Sequence, residues 1–301
     1  MDFKQLRSFV AVIRYGSFTT AASKLRVSQP TVSTHIRQLE EEVGSPLVLR
    51  NAKRVELTAS GYKMYDQVVS MLAMHDKMLQ SMKRHDSDAV YLGASTIPSG
   101  YALPDLLVSF REAHPDVQFV ITQASSQTVM NGMVSGLYDI GFVGMPAKED
   151  ALDCVPFCSD KIVIATTNDA HFRSIDRSDP AAIARMLREE RVIMRKTGSA
   201  TRAAGNRILE KLGVEESELA VVAHLNDLEA TKNLVERNMG IAIMSERAVR
   251  NRVHGGRMLS FDVPGVDTSR KLYMLKRRSA PLSAVAQAFF DQVVAQKGDA
   301  F

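Results

Sequence analysis

Three clusters of hydroxyl-bearing residues stand at the carboxyl ends of strand-like apolar runs. Ser95-Thr96-Ile97-Pro98-Ser99-Gly100 follows Val90–Ala94. Ser125-Ser126-Gln127-Thr128 follows Val117–Thr122, and Thr197-Gly198-Ser199-Ala200-Thr201-Arg202 follows Val192-Ile193-Met194. In an open α/β sheet, ligands sit beyond the carboxyl ends of strands, where helix N-termini present unpaired N–H groups. Neutral hydroxyls beside such groups suit a small anion. Any single Ser or Thr at a helix start caps that helix for its own sake. Three clusters in register with strand ends predict a binding site with Ser95, Thr96, Ser125, Gln127, Thr128, Thr197, Ser199 and Thr201 as its contacts. Tyr101 and Phe142 are the aromatics nearby, too few for a large aromatic ligand, so a small oxyanion or carboxylate fits better. Arg195, Lys196 and Arg202 read as solvated surface cations.

Catalytic chemistry is not visible. The chain has no Gly-rich phosphate loop, nucleophile elbow or metal-ligand spacing, so no catalytic residue, metal or cofactor is expected, and the reading is not that of an enzyme. The two cysteines, Cys154 and Cys158, have a spacing that admits a redox pair, although a buried free thiol is the commoner state.

A second kind of chemistry lies between Ser17 and Leu39. Ser17 and Ser28 are placed as N-caps of two short helices, and Pro30 is tolerated in a first turn, where its missing N–H costs little. Val32, Ile36 and Leu39 share one face of the second helix; Gln29, Thr31, Ser33, Thr34 and Arg37 point away from it. A helical hairpin with a solvated face would show the same periodicity. Leu6, Phe9, Val10 and Ile13 supply a preceding helix, and two apolar runs around Asn51-Ala52-Lys53 read as a β-hairpin with Arg50, Lys53 and Arg54 near its tip. This is the build of a helix-turn-helix whose second helix enters the DNA major groove. Ser28, Gln29, Pro30, Thr31, Ser33, Thr34 and Arg37 are then the expected DNA contacts on the helix, and Arg50, Lys53 and Arg54 those on the flanking backbone.

Charge agrees with one DNA-binding end. Residues 1–58 hold nine Lys or Arg against five Asp or Glu, and the remainder is balanced at 29 of each. No apolar run approaches the ~20 residues of a membrane helix. Asp2, Lys4 and Arg7 stand where a signal peptide needs an apolar core, which predicts a cytoplasmic protein with no membrane partner.

The elements that must carry these sites follow. Residues 59 to about 86 read as one helix, with Met64, Val68, Met71, His75, Met78 and Met82 at the four-three spacing of a pairing seam. An amphipathic helix packed on its own domain is the plainer reading. His85-Asp86-Ser87-Asp88 reads as a hinge. Beyond it, strands alternate with helices near Leu106–Phe110, Thr128–Ser135, Pro180–Glu189, Ala200–Leu212, Leu225–Arg237 and Pro281–Val294, arguing for α/β lobes with largely parallel sheets.

Residues 1–58 closely resemble the winged helix-turn-helix of LysR-type transcriptional regulators. The resemblance rests on Leu6-x-x-Phe9, Gly16-Ser17-Phe18, Ala21-Ala22, Leu25, Ser28-Gln29-Pro30-Thr31-Val32-Ser33, Ile36, Leu39-Glu40, Gly44, Leu47, Arg50 and Leu57-Thr58-x-x-Gly61. Val48 departs from it, standing where the family carries Phe. The resemblance implies a multi-domain α+β protein with three parts. These are a winged helix-turn-helix over 1–58, a dimerising linker helix and hinge over 59–88, and a two-lobed effector domain over 89–301, built like a periplasmic binding protein. Lobe one is expected at 89–164 plus 267–301 and lobe two at 165–266, with the hydroxyl clusters facing the cleft between them. The third cluster resembles the family's Gly-Ser-Gly-Thr-Arg loop, with Ala200 in place of the second Gly. The implied function is regulation of transcription on double-stranded DNA by a homodimer or homotetramer that responds to a small anionic effector. The runs Leu92–Pro104 and Asp139–Gly144 look similar to the branch that controls sulfur or selenium metabolism. Two other readings stay open: a redox sensor using Cys154 and Cys158, as in the family's peroxide-sensing branch, and a solute-binding or enzymatic α/β domain.

Overall fold

A computed structural model describes residues 1–50, 55–83 and 89–296. The chain divides into two units, residues 1–86 and 87–301. Lys53, Arg54, the hinge at 85–88 and the side chains of Arg50 and Met82 lie outside what is described.

The first unit begins with α1 (Phe3–Tyr15), α2 (Phe18–Leu25) and α3 (Gln29–Val43). Each start is fixed by a local bond. Asp2 caps α1, Ser17 Oγ accepts from the Thr20 N–H at 3.3 Å, and Ser28 Oγ accepts from the Thr31 N–H at 3.2 Å. Val32, Ile36 and Leu39 on α3 are fully buried against Leu6, Phe9, Ala21 and Leu47. Each of the larger side chains contributes about 1.5–3 kcal/mol through burial. The wing follows as β1 (Val48–Arg50) paired antiparallel with β2 (Val55–Leu57).

α4 (Ala59–Lys83) starts on the wing. Thr58 Oγ1 donates to the Pro46 carbonyl at 2.7 Å and accepts from the Gly61 N–H at 2.9 Å. A Cβ on Gly61 would lie 2.1 Å from the Leu47 carbonyl oxygen, so only glycine lets the helix come this close. Along α4, Val68 and Leu72 are buried in this unit's own core, while Met71, Met74, Met78 and Leu79 are exposed. Val68 therefore belongs to the unit's interior and not to a pairing seam.

The second unit opens with β3 (Ala89–Ser95), α5 (Thr96–Tyr101), α6 (Leu103–Ala113), β4 (Gln118–Ala124), α7 (Ser126–Val134) and β5 (Ile140–Val143). β6 (Leu152–Thr167), α8 (Ala170–Arg173), α9 (Pro180–Glu189), β7 (Arg191–Arg195), α10 (Ala200–Lys211) and β8 (Ala220–Leu225) continue it. It closes with α11 (Leu228–Glu236), β9 (Ala242–Ser245), α12 (Glu246–His254), β10 (Met258–Phe261), β11 (Ser269–Arg277) and α13 (Ala284–Ala295).

Two lobes share β6. Its first part, Leu152–Lys161, pairs antiparallel with β11 and continues a sheet ordered β6-β11-β5-β3-β4. Its last part, Ile162–Thr167, pairs with β9 and β10 in lobe two, where β7 and β8 run parallel to each other. The sheets are mixed, and not largely parallel as the alternation of elements predicts. The chain leaves lobe one at Lys161/Ile162 and returns at Thr268/Ser269, where the Ile162 N–H donates to the Thr268 carbonyl at 3.0 Å. Lobe one centres on Phe110, Phe142 and Phe289, and lobe two on Phe172, Ile183, Leu187 and Phe261.

Among the described residues no helix is long and apolar enough to cross a membrane, and no cluster of acidic, His and Cys residues is set to hold a metal. Cys154 and Cys158 are free and lie four residues apart on the single strand β6. A strand rises ~3.3 Å per residue, which separates their Cα atoms by about 13 Å, roughly twice the span of a disulfide. Burial pushes both thiols above their ordinary value. A disulfide between Cys154 and Cys158 is thereby out of reach in this fold.

Candidate functional site

A cleft of about 230 Å³ opens between the lobes of the second unit. From lobe one it is lined by Ser95 and Thr96 at the β3–α5 junction, Ser125 and Ser126 at the start of α7, and Gly144 after β5. From lobe two come Arg195 at the end of β7, Ser199 and Thr201 at the start of α10, and Asn226 after β8; Arg270, from the returning strand β11, completes it.

Five of the eight residues expected to bind effector therefore meet here: Ser95, Thr96, Ser125, Ser199 and Thr201. The other three do not line the cleft. Gln127 is exposed and donates to Asn131 Oδ1 at 3.1 Å, one turn along its own helix. Thr128 meets Ser125 Oγ at 2.8 Å, and its N–H donates to that oxygen at 3.1 Å, so this pair caps α7. Thr197 is exposed. Within the cluster Ser95-Thr96-Ile97-Pro98-Ser99-Gly100, the chain is helical from Thr96 onward.

The remaining hydroxyls are held differently. Ser95 and Ser199 both occupy N-cap positions yet form no cap hydrogen bond, which leaves their oxygens to the cleft. Ser126 Oγ accepts from the Gly144 N–H at 3.3 Å and fixes the loop beyond β5. Gly144 sits where lobe one closely approaches lobe two: a Cβ there would lie 2.9 Å from Ala200 Cβ.

Sequence reasoning misplaced Arg195 and overlooked Arg270. Arg195 is not a solvated surface residue. Its Nη2 donates to Thr96 Oγ1 at 3.3 Å across the cleft, while Nε and Nη1 are buried with no acceptor among the described residues. Burial pushes this guanidinium below its ordinary value; Asp227 opposes the shift and Arg270 adds to it. Arg270 is 5% exposed and pairs through Nη2 with Asp160 Oδ2 at 2.7 Å, yet its Nη1 also lacks an acceptor. A buried donor left unmade costs about 1–3 kcal/mol, more when charged. The lining residues contain no carboxylate, so the chemistry of this lining suits an anion. Arg202 instead pairs with Glu216, and Lys196 is exposed.

The first unit presents a separate polar surface. Gln29, Thr34 and Arg37 are exposed on α3 with Ser28 and Pro30 at its start, while Thr31 and Ser33 are half-buried. Gln29 Nε2 donates to Ser33 Oγ at 2.9 Å, and Ser28 and Thr31 share a hydroxyl bond at 2.7 Å. Arg37 lies 3.6 Å from Glu41, a loose exposed pair that leaves its guanidinium available. Arg50 ends β1 on the wing.

Comparisons with known proteins agree with this architecture. The family model described as "LysR substrate binding domain" matches residues 83–298, and "Bacterial regulatory helix-turn-helix protein, lysR family" matches residues 3–62. A RuBisCO operon transcriptional regulator of Allochromatium vinosum is 29% identical over 300 residues, covering 98% of this chain and 96% of its own. The crystal structure of CbnR, a LysR family transcriptional regulator, superposes with a TM-score of 0.66 at 20% identity, covering 99% of this chain and all of that one. The regulatory domain of CcmR from Synechocystis PCC6803, in complex with 2-PG, covers 70% of this chain and 98% of its own with a TM-score of 0.62 at 23% identity.

Proposed function

This chain belongs to the LysR family of DNA-binding transcriptional regulators, and on that premise we propose that a small organic anion held between its lobes sets how it acts on DNA. The observation that carries this reading is the set of three buried guanidinium nitrogens, on the cleft-lining Arg195 and Arg270, that have no acceptor among the described residues.

The cleft also speaks to size. Its 230 Å³ equals the liquid volume of about eight waters, which a bare inorganic oxyanion would leave mostly unfilled. A phosphorylated or carboxylated acid of a few carbons fits, its anionic group on the arginines and its other oxygens on Ser95, Ser199 and Asn226. The RuBisCO operon regulator among its relatives and the 2-PG bound by CcmR favour this class over the sulfur or selenium oxyanions that two short sequence runs resemble.

On the DNA side, Gln29, Thr31, Ser33, Thr34 and Arg37 read the operator from α3, with Ser28 and Pro30 at the helix start and Arg50, Lys53 and Arg54 on the flanking backbone. The exposed Met71, Met78 and Leu79 support pairing of α4 between chains, giving a homodimer or homotetramer. The protein works in the cytoplasm, where its DNA is.

Calorimetry of the full-length protein against phosphoglycolate, malonate, phosphate and sulfate tests the effector reading. At least one organic acid is expected to bind wild type more tightly than either inorganic ion, and Arg195→Met to lose that binding. Equal binding by wild type and Arg195→Met would overturn it.

A further inference from the structure

Arg270 is a hinge residue as much as a cleft residue. It stands on β11 directly opposite Asp160 of β6, the two strands that carry the chain between the lobes. Their pairing ends within two residues, at Ser269 and Lys161. Arg270 Nε donates to Asp160 Oδ2 at 2.9 Å, and Ser245 Oγ donates to Asp160 Oδ1 at 2.6 Å. Arg270 Nη2 also donates to Thr201 Oγ1 at 3.3 Å, at the start of the lobe-two helix α10. Asp160 is fully buried and Arg270 nearly so.

A buried ion pair of this kind gains little stability over apolar residues of the same shape. This one also leaves Nη1 unpartnered, near Gly144 of lobe one: the Cβ position of Gly144 lies 3.5 Å from it. Packing alone gives no reason to place a charged donor so. The guanidinium is held at three points, with its remaining donor at the seam between the lobes.

Building on the effector reading above, we infer that Arg270 binds the effector's anionic group directly and that Asp160 is its positioning residue, so that the ligand bonds to the two strands on which the lobes turn. Arg195 supplies a cation from lobe two that feels the nearby charge of Asp227 but is paired with no carboxylate lining the cleft. Arg270, offset by Asp160, supplies an oriented donor. A ligand touching both couples lobe two to the hinge, and its affinity then differs between hinge geometries, which is what a change of state requires.

The test uses full-length protein and the same four probes, phosphoglycolate, malonate, phosphate and sulfate. For whichever probe wild type binds most tightly, Arg270→Lys should weaken binding about tenfold or more, because the ammonium keeps the charge but not the planar donors. Asp160→Asn should weaken it several-fold. The double variant Asp160→Leu with Arg270→Met removes the pair without stranding either charge, so it guards against misfolding and should also lose binding. The side-chain 15N resonances of Arg270, identified by their absence in Arg270→Lys, should move when the probe is added, which a purely structural pair would not show. A wild type that binds a probe with those resonances unmoved and the double variant unimpaired would overturn this inference and leave the effector reading intact. A wild type that binds none of the four would overturn both.

Discussion

Thr96 Oγ1 accepts a hydrogen bond from Arg195 Nη2 across the cleft at 3.3 Å, joining the first turn of α5 in lobe one to the end of β7 in lobe two. The bond holds the guanidinium in the cleft rather than out in solvent. Thr96→Ala is expected to weaken effector binding by about 1–3 kcal/mol through an unmet donor. Ser199→Ala, acting from the other lobe, should lower it as well. Calorimetry with both single variants checks this, and loss in only one of them would place the ligand in a single lobe.

A second expectation concerns DNA. Arg54→Ala should weaken binding to all sequences alike and lower the salt slope by about one ion. Substituting Thr31 or Ser33 should change sequence preference instead. Fluorescence anisotropy against an operator and a scrambled duplex, across a salt series, separates the two kinds of effect; identical slopes and preferences in all variants would refute the assignment.

The exposed methionines of α4 give a third. Met71→Glu with Met78→Glu should break pairing of the chains, since two carboxylates would be buried opposite an apolar seam. Light scattering reads the result directly, and an unchanged oligomer would place the pairing surface elsewhere.

Gly61 provides a test of the fold itself. Gly→Ala within a helix ordinarily stabilises by about 0.4–1 kcal/mol. Here the added methyl meets the Leu47 carbonyl oxygen, so the sign reverses, and Gly61→Ala should cost about 1–3 kcal/mol in denaturant melts. A more stable variant would show that the wing yields easily.

The cysteines give the last. Burial raises both thiols, so they stay protonated near neutral pH and react slowly. Cys154→Ser and Cys158→Ser should leave DNA binding under peroxide as it is in wild type. Mobility shifts before and after oxidant check this; a peroxide response that disappears with either variant would revive the redox reading.

Local signals were the legible ones. Ser17 and Ser28 as caps, the buried stripe Val32, Ile36 and Leu39, and the helix Pro180–Glu189 all rest on contacts within a few residues. The first part of β6 was missed because Pro156 and the polar residues around it do not read as a strand. It survives as an edge strand with an irregular register opposite Leu272 and Tyr273. α5 was hidden by Pro98 and Gly100. α12 was hidden by its charge, with only Ala248 and Val249 buried. Arg195 and Arg270 were illegible as site residues for a different reason. Thr96 lies 99 residues from Arg195, and Asp160 lies 110 from Arg270, so nothing near either arginine in sequence distinguishes it from a surface cation.

β6 runs through both lobes as one sixteen-residue strand, and at the crossing it is still laddered to β11. The lobes are thus joined by a ribbon and not by a pair of slack loops. A two-stranded ribbon twists readily but does not lengthen, because its backbone is extended already and its cross-strand bonds fix the spacing. Relative motion of the lobes that keeps this ladder intact is therefore twist and not extension. Such a joint takes up relative rotation of the lobes as twist of the ribbon and resists pulling them apart.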